Sequence, residues 1–172
     1  NLELCDGRGA QRVVLSIMQQ SAELKVYDFE LTLACIADSK TVYDWQCHPD
    51  TRRYALDPSI PSWGAHLEWM KNKLASKDDY FYILKNRINE GAVGVIRLDW
   101  TSEDNYVISV FMAPDQYGKG LASTALSLVD CIHPAVTLRA TVLTGNTKSQ
   151  ILFEKAGYKR LAQDTFVREP IN

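Results

Sequence analysis

Val107-Ile108-Ser109-Val110-Phe111-Met112-Ala113-Pro114-Asp115-Gln116-Tyr117-Gly118-Lys119-Gly120 decides how this chain is read. Val107 to Met112 is apolar and rich in β-branched residues, the pattern of a buried strand. Ala113, Pro114 and Asp115 stop it. Gln116-Tyr117-Gly118-Lys119-Gly120-Leu121-Ala122 follows, and a helix is expected from Gly118 to Ile132. A strand, a glycine-bearing turn and a helix N-terminus together make an anion site, because successive N–H groups point outward and the helix dipole adds partial positive charge. Gly118 and Gly120 let the backbone approach a pyrophosphate with no Cβ in the way, and Lys119 adds a formal charge. No Gly-Lys-Ser/Thr follows, so this is not a nucleoside-triphosphate P-loop. The third glycine of a dinucleotide fingerprint is missing.

Outward from this stretch the chain alternates strands and helices. Leu24 to Ala37 reads as a strand, with Val26, Phe29, Leu31, Leu33 and Cys35 alternating. Asp38 or Ser39 caps a helix over Lys40 to Cys47, ended by His48-Pro49-Asp50. Thr51 to Ser62 is a loop, and Ser62 caps a helix from Trp63 to Ala75. Tyr80 to Leu84 and Ala92 to Trp100 form a hairpin around Asn89-Glu90-Gly91. A polar turn, Thr101 to Asn105, leads into the central strand. Val136 to Leu143 is a strand. A helix from Thr144 or Gly145 to Ala156 ends on Gly157 as a C′ glycine. Short strands Tyr158 to Leu161 and Thr165 to Arg168 close the chain.

The Gln116-to-Ala122 turn resembles the Gln/Arg-x-x-Gly-x-Gly/Ala signature of the acyl-CoA-dependent N-acetyltransferases of the GNAT superfamily. A second match lies in Asn146-Thr147-Lys148-Ser149 and Leu152-Phe153-Glu154-Lys155-Ala156-Gly157-Tyr158. The two blocks stand in the family's order and separation. The element order from residue 23 to the end is that of the family as well. The resemblance implies an α/β (α+β) GNAT fold: a mixed, mostly antiparallel twisted sheet, helices on both faces, and a splay between two central parallel strands. It implies acetyl-CoA as cofactor and a primary amine as acceptor. The amine attacks the thioester carbonyl and CoA thiolate leaves. Orientation of two substrates can supply roughly 7–11 kcal/mol of barrier reduction where alignment is good.

Residue by residue, the resemblance assigns Val110, Phe111 and Met112 at the splay to the pantetheine and the carbonyl. It assigns Gln116, Tyr117, Gly118, Lys119, Gly120, Leu121 and Ala122 to the pyrophosphate. Asn146 and Ser149 fall at the pantetheine arm, although asparagine is also a good helix N-cap. Phe153 departs from the pattern, since many relatives carry tyrosine there as general acid. Tyr158 and Ser149 are the nearby hydroxyls that could take that part, and His66 could relay a proton from the amine. Tyr158 reads equally as an apolar strand residue and His66 as a core histidine. The acceptor side is expected in Trp45, Arg52, Arg53, Trp63, His66 and Trp69, arginine and aromatic residues suited to an anionic, planar ligand.

The Trp45-to-Trp69 pattern resembles two subfamilies: one acetylates a UDP-linked 4-amino sugar in pseudaminic acid synthesis, the other the N-termini of ribosomal proteins. Leu4 to Val13 resembles the C-terminal end of the UDP-sugar hydrolases of the same sugar pathway. Residues 1–22 are therefore expected to be the tail of a preceding domain or an N-terminal helix, and 23–172 the acetyltransferase domain. The chain is read as a fragment of a longer protein, with fusion to such a hydrolase expected. A domain that binds acyl-CoA without turnover is a third reading, which Phe153 and the lack of an obvious base favour.

The 172 residues suffice for one domain with a real core. A net charge of −2 offers no electrostatic reason to expect nucleic acid or an anionic membrane as partner. Cys5, Cys35, Cys47 and Cys131 form no CxxC pair, so no metal site and a reducing, cytoplasmic setting are expected. A monomer or homodimer is expected.

Overall fold

Residues 28–171 are described by a computed structural model. The first twenty-two residues and the opening of the first expected strand lie outside them. Strand β1 spans Phe29–Leu33, and a short 3₁₀ turn, Ile36–Asp38, takes up the residues beyond it. Helix α1 spans Ser39–Cys47, α2 is a single turn, Pro49–Arg52, and α3 spans Trp63–Ala75. Then come β2 (Tyr80–Asn86), β3 (Ala92–Ser102) and β4 (Asn105–Met112). Helix α4 (Leu121–Ile132), β5 (Thr137–Thr141), α5 (Thr147–Lys155), β6 (Lys159–Arg160) and β7 (Thr165–Arg168) complete the order.

The departures from the sequence reading have local causes. Pro49 at the first helical position and the His48 ring, which accepts the Asp50 N–H, start a turn where a loop was expected. Helix α4 begins at Leu121 and not at Gly118, because Gly120 is left-handed and caps it. Helix α5 begins after Asn146, whose side chain accepts the Ser149 N–H at 3.2 Å. Ser62 caps α3 as expected, accepting the Ala65 N–H at 3.2 Å. At Gly157 (φ +83°) the Tyr158 N–H reaches the Phe153 carbonyl and the Gly157 N–H reaches Glu154, a paired closure of the helix end.

The seven strands form one sheet in the order β1-β2-β3-β4-β5-β7-β6. Every pairing is antiparallel except β4 with β5. Alternation along the strands makes two cores. On one face Tyr82, Leu84, Ile96, Leu98 and Ile108 pack with Leu121, Ala125, Leu128 and Val129 of α4. Phe153, Tyr158 and Phe166 extend that core. On the other face Phe81, Ile83 and Val95 pack with Val42 of α1 and Met70 of α3. The sheet thus has helices on both sides, the GNAT arrangement expected from the sequence. No helix among the described residues is long and apolar enough to cross a membrane.

Candidate active site

The turn between β4 and α4 is built by three residues that cannot extend the strand. Pro114–Gln116 is a 3₁₀ turn, closed by the Gln116 N–H on the Ala113 carbonyl at 2.9 Å. Gly118 and Gly120 both stand at φ +77°, where an L side chain is strained. A Cβ built on either would meet nothing within 4 Å, so the space beside this backbone is open. The N–H groups of Leu121 and Ala122 begin α4 and have no intrahelical acceptor. Lys119 donates to the Gln116 side-chain oxygen at 3.0 Å, and Gln116 donates to Asp115 at 2.9 Å. An open backbone hollow at a helix N-terminus, with a lysine held at its rim, fits a pyrophosphate.

Beside the turn, the sheet opens. β4 and β5 pair only at Asn105↔Thr137, Tyr106↔Leu138 and Val107↔Arg139, although β4 runs on to Met112 and β5 to Thr141. The phase of β4 follows from one bond: the Ala113 N–H donates to Val93 of β3 at 2.9 Å. In an antiparallel ladder every second residue points to the same neighbour. Ser109 and Phe111 therefore turn their N–H and C=O to β3, where Phe111 pairs with Val95. Val110 and Met112 turn theirs into the opening. Of the three splay residues expected from the sequence, Phe111 does not offer its backbone there; its side chain packs toward the α1–α3 core. Asn146 caps α5 through its side-chain oxygen, which leaves the amide NH₂ for another partner.

The expected acceptor residues are spread over the α1–α3 face. Trp45 packs against the core beneath α1. Trp63 is exposed and meets Tyr43 edge-on at 5.3 Å. Trp69 is half-buried, with the Arg97 guanidinium over its ring at 5.1 Å. Arg53 is exposed, whereas Arg52 donates to the Asp57 carbonyl at 2.9 Å and so braces its own loop. A groove along α3 is lined by Ala65, Glu68, Trp69, Asn72, Lys73 and Asp79. Lys73 bridges Asp79 at 3.0 Å and Asp99 at 2.7 Å, and Arg97 holds Asp99 at 2.8 Å. Arg97 lies across from Ser109, two residues past the last β4–β5 pair. The alternation of Arg97 and Asp99 on β3 is the sequence signal that both share this face of the sheet.

A family model described as an acetyltransferase (GNAT) domain matches residues 29–159. The chain belongs to the GNAT acetyltransferases. Acetyl-CoA is the acyl donor that membership brings, and the turn and splay fit it. A spermidine N-acetyltransferase of Vibrio cholerae, solved with CoA and spermine, superposes with TM-score 0.70 at 16% identity, over 81% of this chain and 93% of that one. An aminoglycoside acetyltransferase solved with CoA gives 0.67 at 19% identity, over 82% and 94%. A ribosomal-protein α-N-acetyltransferase in complex with CoA gives 0.69 at 11% identity, over 83% and 94%. At these identities the likeness is one of fold. No curated protein matched the chain by sequence.

Within this GNAT fold two expected catalytic residues are displaced from the chemistry. His66 is 1% exposed. Its Nε2 donates to the Ser39 carbonyl at 3.0 Å, and Tyr43, Trp63 and Trp69 surround the ring at 5.0–5.7 Å. Burial lowers its pKa, so it is a neutral core histidine walled off from an acceptor. Helical spacing put it on the inner face of α3 with Met70. Tyr158 is also buried, edge-on to Phe153 at 5.0 Å. Burial and then the Asp130 charge raise its pKa, with Arg168 opposing. Arg168, whose charge acts on this phenol, pairs across from Leu138 at the closed end of the β4–β5 pair, and the phenol is held inside the core. Phe153 is core, stacked on Phe166, and has no hydroxyl to offer. Ser149 is half-buried in the first turn of α5, beside Asn146.

Proposed function

We propose that this protein moves acetyl from acetyl-CoA to the primary amine of a UDP-linked amino sugar, the 4-amino sugar of nonulosonic (pseudaminic) acid or surface polysaccharide synthesis. The observation that carries acetyl transfer is the parallel pair that stops at Val107, beside two left-handed glycines that open a helix. The thioester supplies the activated acyl group. The chain's part is to hold and orient it: Gly118, Gly120, Leu121 and Ala122 present N–H groups to the pyrophosphate. Asn146 offers its amide NH₂ to the pantetheine arm. Val110 and Met112 direct N–H groups at the carbonyl oxygen, where donors held in place favour the developing negative charge. With His66 and Tyr158 buried, orientation and backbone donors carry the catalysis assigned to this chain.

The sugar acceptor is supported by the exposed Arg53, which opens the loop before α3, and Trp63, which begins α3, a cation and an indole for a diphosphate and a uracil. The resemblance of Leu4 to Val13 supports it too, and lies outside the described residues. A protein N-terminus is the second reading. Leu56 and Ile60 on the same loop are 69% and 63% exposed, an apolar surface that a peptide would use and a sugar diphosphate would not. Release of CoA thiol from acetyl-CoA, with a UDP-4-amino sugar and a ribosomal N-terminal peptide run side by side, tests both. Release with the sugar alone is the expected result, and release with the peptide alone reverses the assignment. Release with neither, despite measured acetyl-CoA binding, favours a binding module.

A further inference from the structure

Tyr117 sits in the middle of the pyrophosphate turn, yet its side chain leaves it. The hydroxyl shares a hydrogen bond of 2.7 Å with Thr51 Oγ1, sixty-six residues away. The His48 ring meets the Tyr117 ring edge-on at 6.4 Å. Thr51 lies in α2, whose single turn leads directly into the loop before α3. That loop is braced from within by Arg52 on the Asp57 carbonyl and by the Ser59 N–H on the Asp57 carboxylate, both at 2.9 Å. Its far end is held by the Tyr43 hydroxyl on the Pro61 carbonyl at 2.9 Å. The segment from Arg53 to Trp63 therefore behaves as a braced unit, hung at one end from α1 and at the other from the donor turn.

Tyr117 is 40% exposed, and the Thr51 bond lies at the surface. A surface bond of this kind adds little to folding, so its consequence is positional. Gly118, the next residue, is left-handed, and the direction in which Tyr117 projects is set by the same backbone that cradles the anion. Ordering that backbone orders the tyrosine, and through Thr51 it orders the loop.

We propose that Thr51 and Tyr117 are positioning residues that couple the donor turn to the acceptor loop, so that filling the turn with CoA settles the Arg53–Trp63 segment. This rests on the reading of the turn as the CoA site, and on no particular acceptor. Trypsin cleavage after the exposed Arg53, followed by mass spectrometry on the full chain with and without saturating CoA, reads the loop directly. CoA affinity is measured in parallel by calorimetry. In the wild type CoA is expected to slow that cut about fivefold, the scale of one net hydrogen bond. In Thr51→Val the protection is expected to vanish while CoA affinity stays within about twofold. Thr51→Ser, which keeps the hydroxyl, is expected to restore protection. Tyr117→Phe is expected to lose it, with no further loss in the double variant. Protection that survives in Thr51→Val, or is missing in a wild type that binds CoA, overturns the coupling. Absence of CoA binding in the wild type overturns the site reading instead.

Discussion

At Asn146 a pair of substitutions can separate the observed helix cap from the proposed pantetheine contact. Its oxygen caps α5, while its NH₂ is the group proposed to meet the pantetheine arm. Asn146→Asp keeps the acceptor oxygen and loses the donor. It is expected to unfold at the wild-type temperature and to bind acetyl-CoA more weakly. Asn146→Ala loses both and is expected to be about 1 kcal/mol less stable as well. Thermal melting and calorimetry on the two variants distinguish them, and equal acetyl-CoA affinity in Asn146→Asp would remove the pantetheine role. His133 argues in the same way about protons. Burial, and next the Arg168 charge, push its pKa down to about 4, and its Nε2 meets the Tyr82 hydroxyl at 2.8 Å. Well above pH 6.5 the ring is neutral whether the chain is folded or not. As pH falls from there towards 4, the unfolded chain takes a proton that the folded one refuses, and stability drops by about 3 kcal/mol. Denaturant unfolding at pH 7 and pH 4.5 is expected to show a smaller drop in His133→Gln.

Among the elements, α3 shows what periodicity reveals and what it hides. Ser62 was legible as its cap because a serine precedes an apolar helical run. Ser62→Ala is expected to cost about 1 kcal/mol, read as a lower melting temperature with CoA affinity unchanged. His66 was not legible, because its spacing puts it on the inner face while its chemistry suggests an outer one. Whether a helical histidine faces a core or a cleft depends on what covers it. Here Tyr43 of α1 does so, together with Trp63 one turn earlier on α3 itself. β4 carries the same lesson. Its apolar run was plain, but the phase that turns Val110 and Met112 to the opening, and Phe111 away, comes from its pairing with β3. The single turn α2 was missed because Pro49 reads both as a helix breaker and as a first helical residue.

Across the whole molecule, the parallel pair is the closed end of a wedge, and a buried charge cluster stands behind it. Arg168, 4% exposed, donates to the carbonyls of Val136 at 2.8 Å and His133 at 3.0 Å. It also lies 3.0 Å from Asp130 of α4. One side chain thus ties β7 to the end of α4 and to the start of β5, level with the last β4–β5 pairs. Arg168→Met would leave those carbonyls and the half-buried Asp130 without their partner. It is expected to lose about 3–5 kcal/mol, measured by denaturant unfolding. A loss under about 1 kcal/mol, the scale of a surface pair, would show that the cluster does not hold the wedge.

The sequence by itself determined the fold class, the order of the elements other than the single turn α2, and the glycine turn before α4. Those rest on local chemistry: apolar alternation, caps, and glycines next to a helix start, all of which are contiguous in the chain. The tertiary structure alone decided which side chains reach the site. It placed His66 and Tyr158 in cores, set Arg97 and Asp99 on the face that carries α3, and joined Thr51 to Tyr117. Burial and partnership are properties of residues distant in sequence, so no local pattern encodes them.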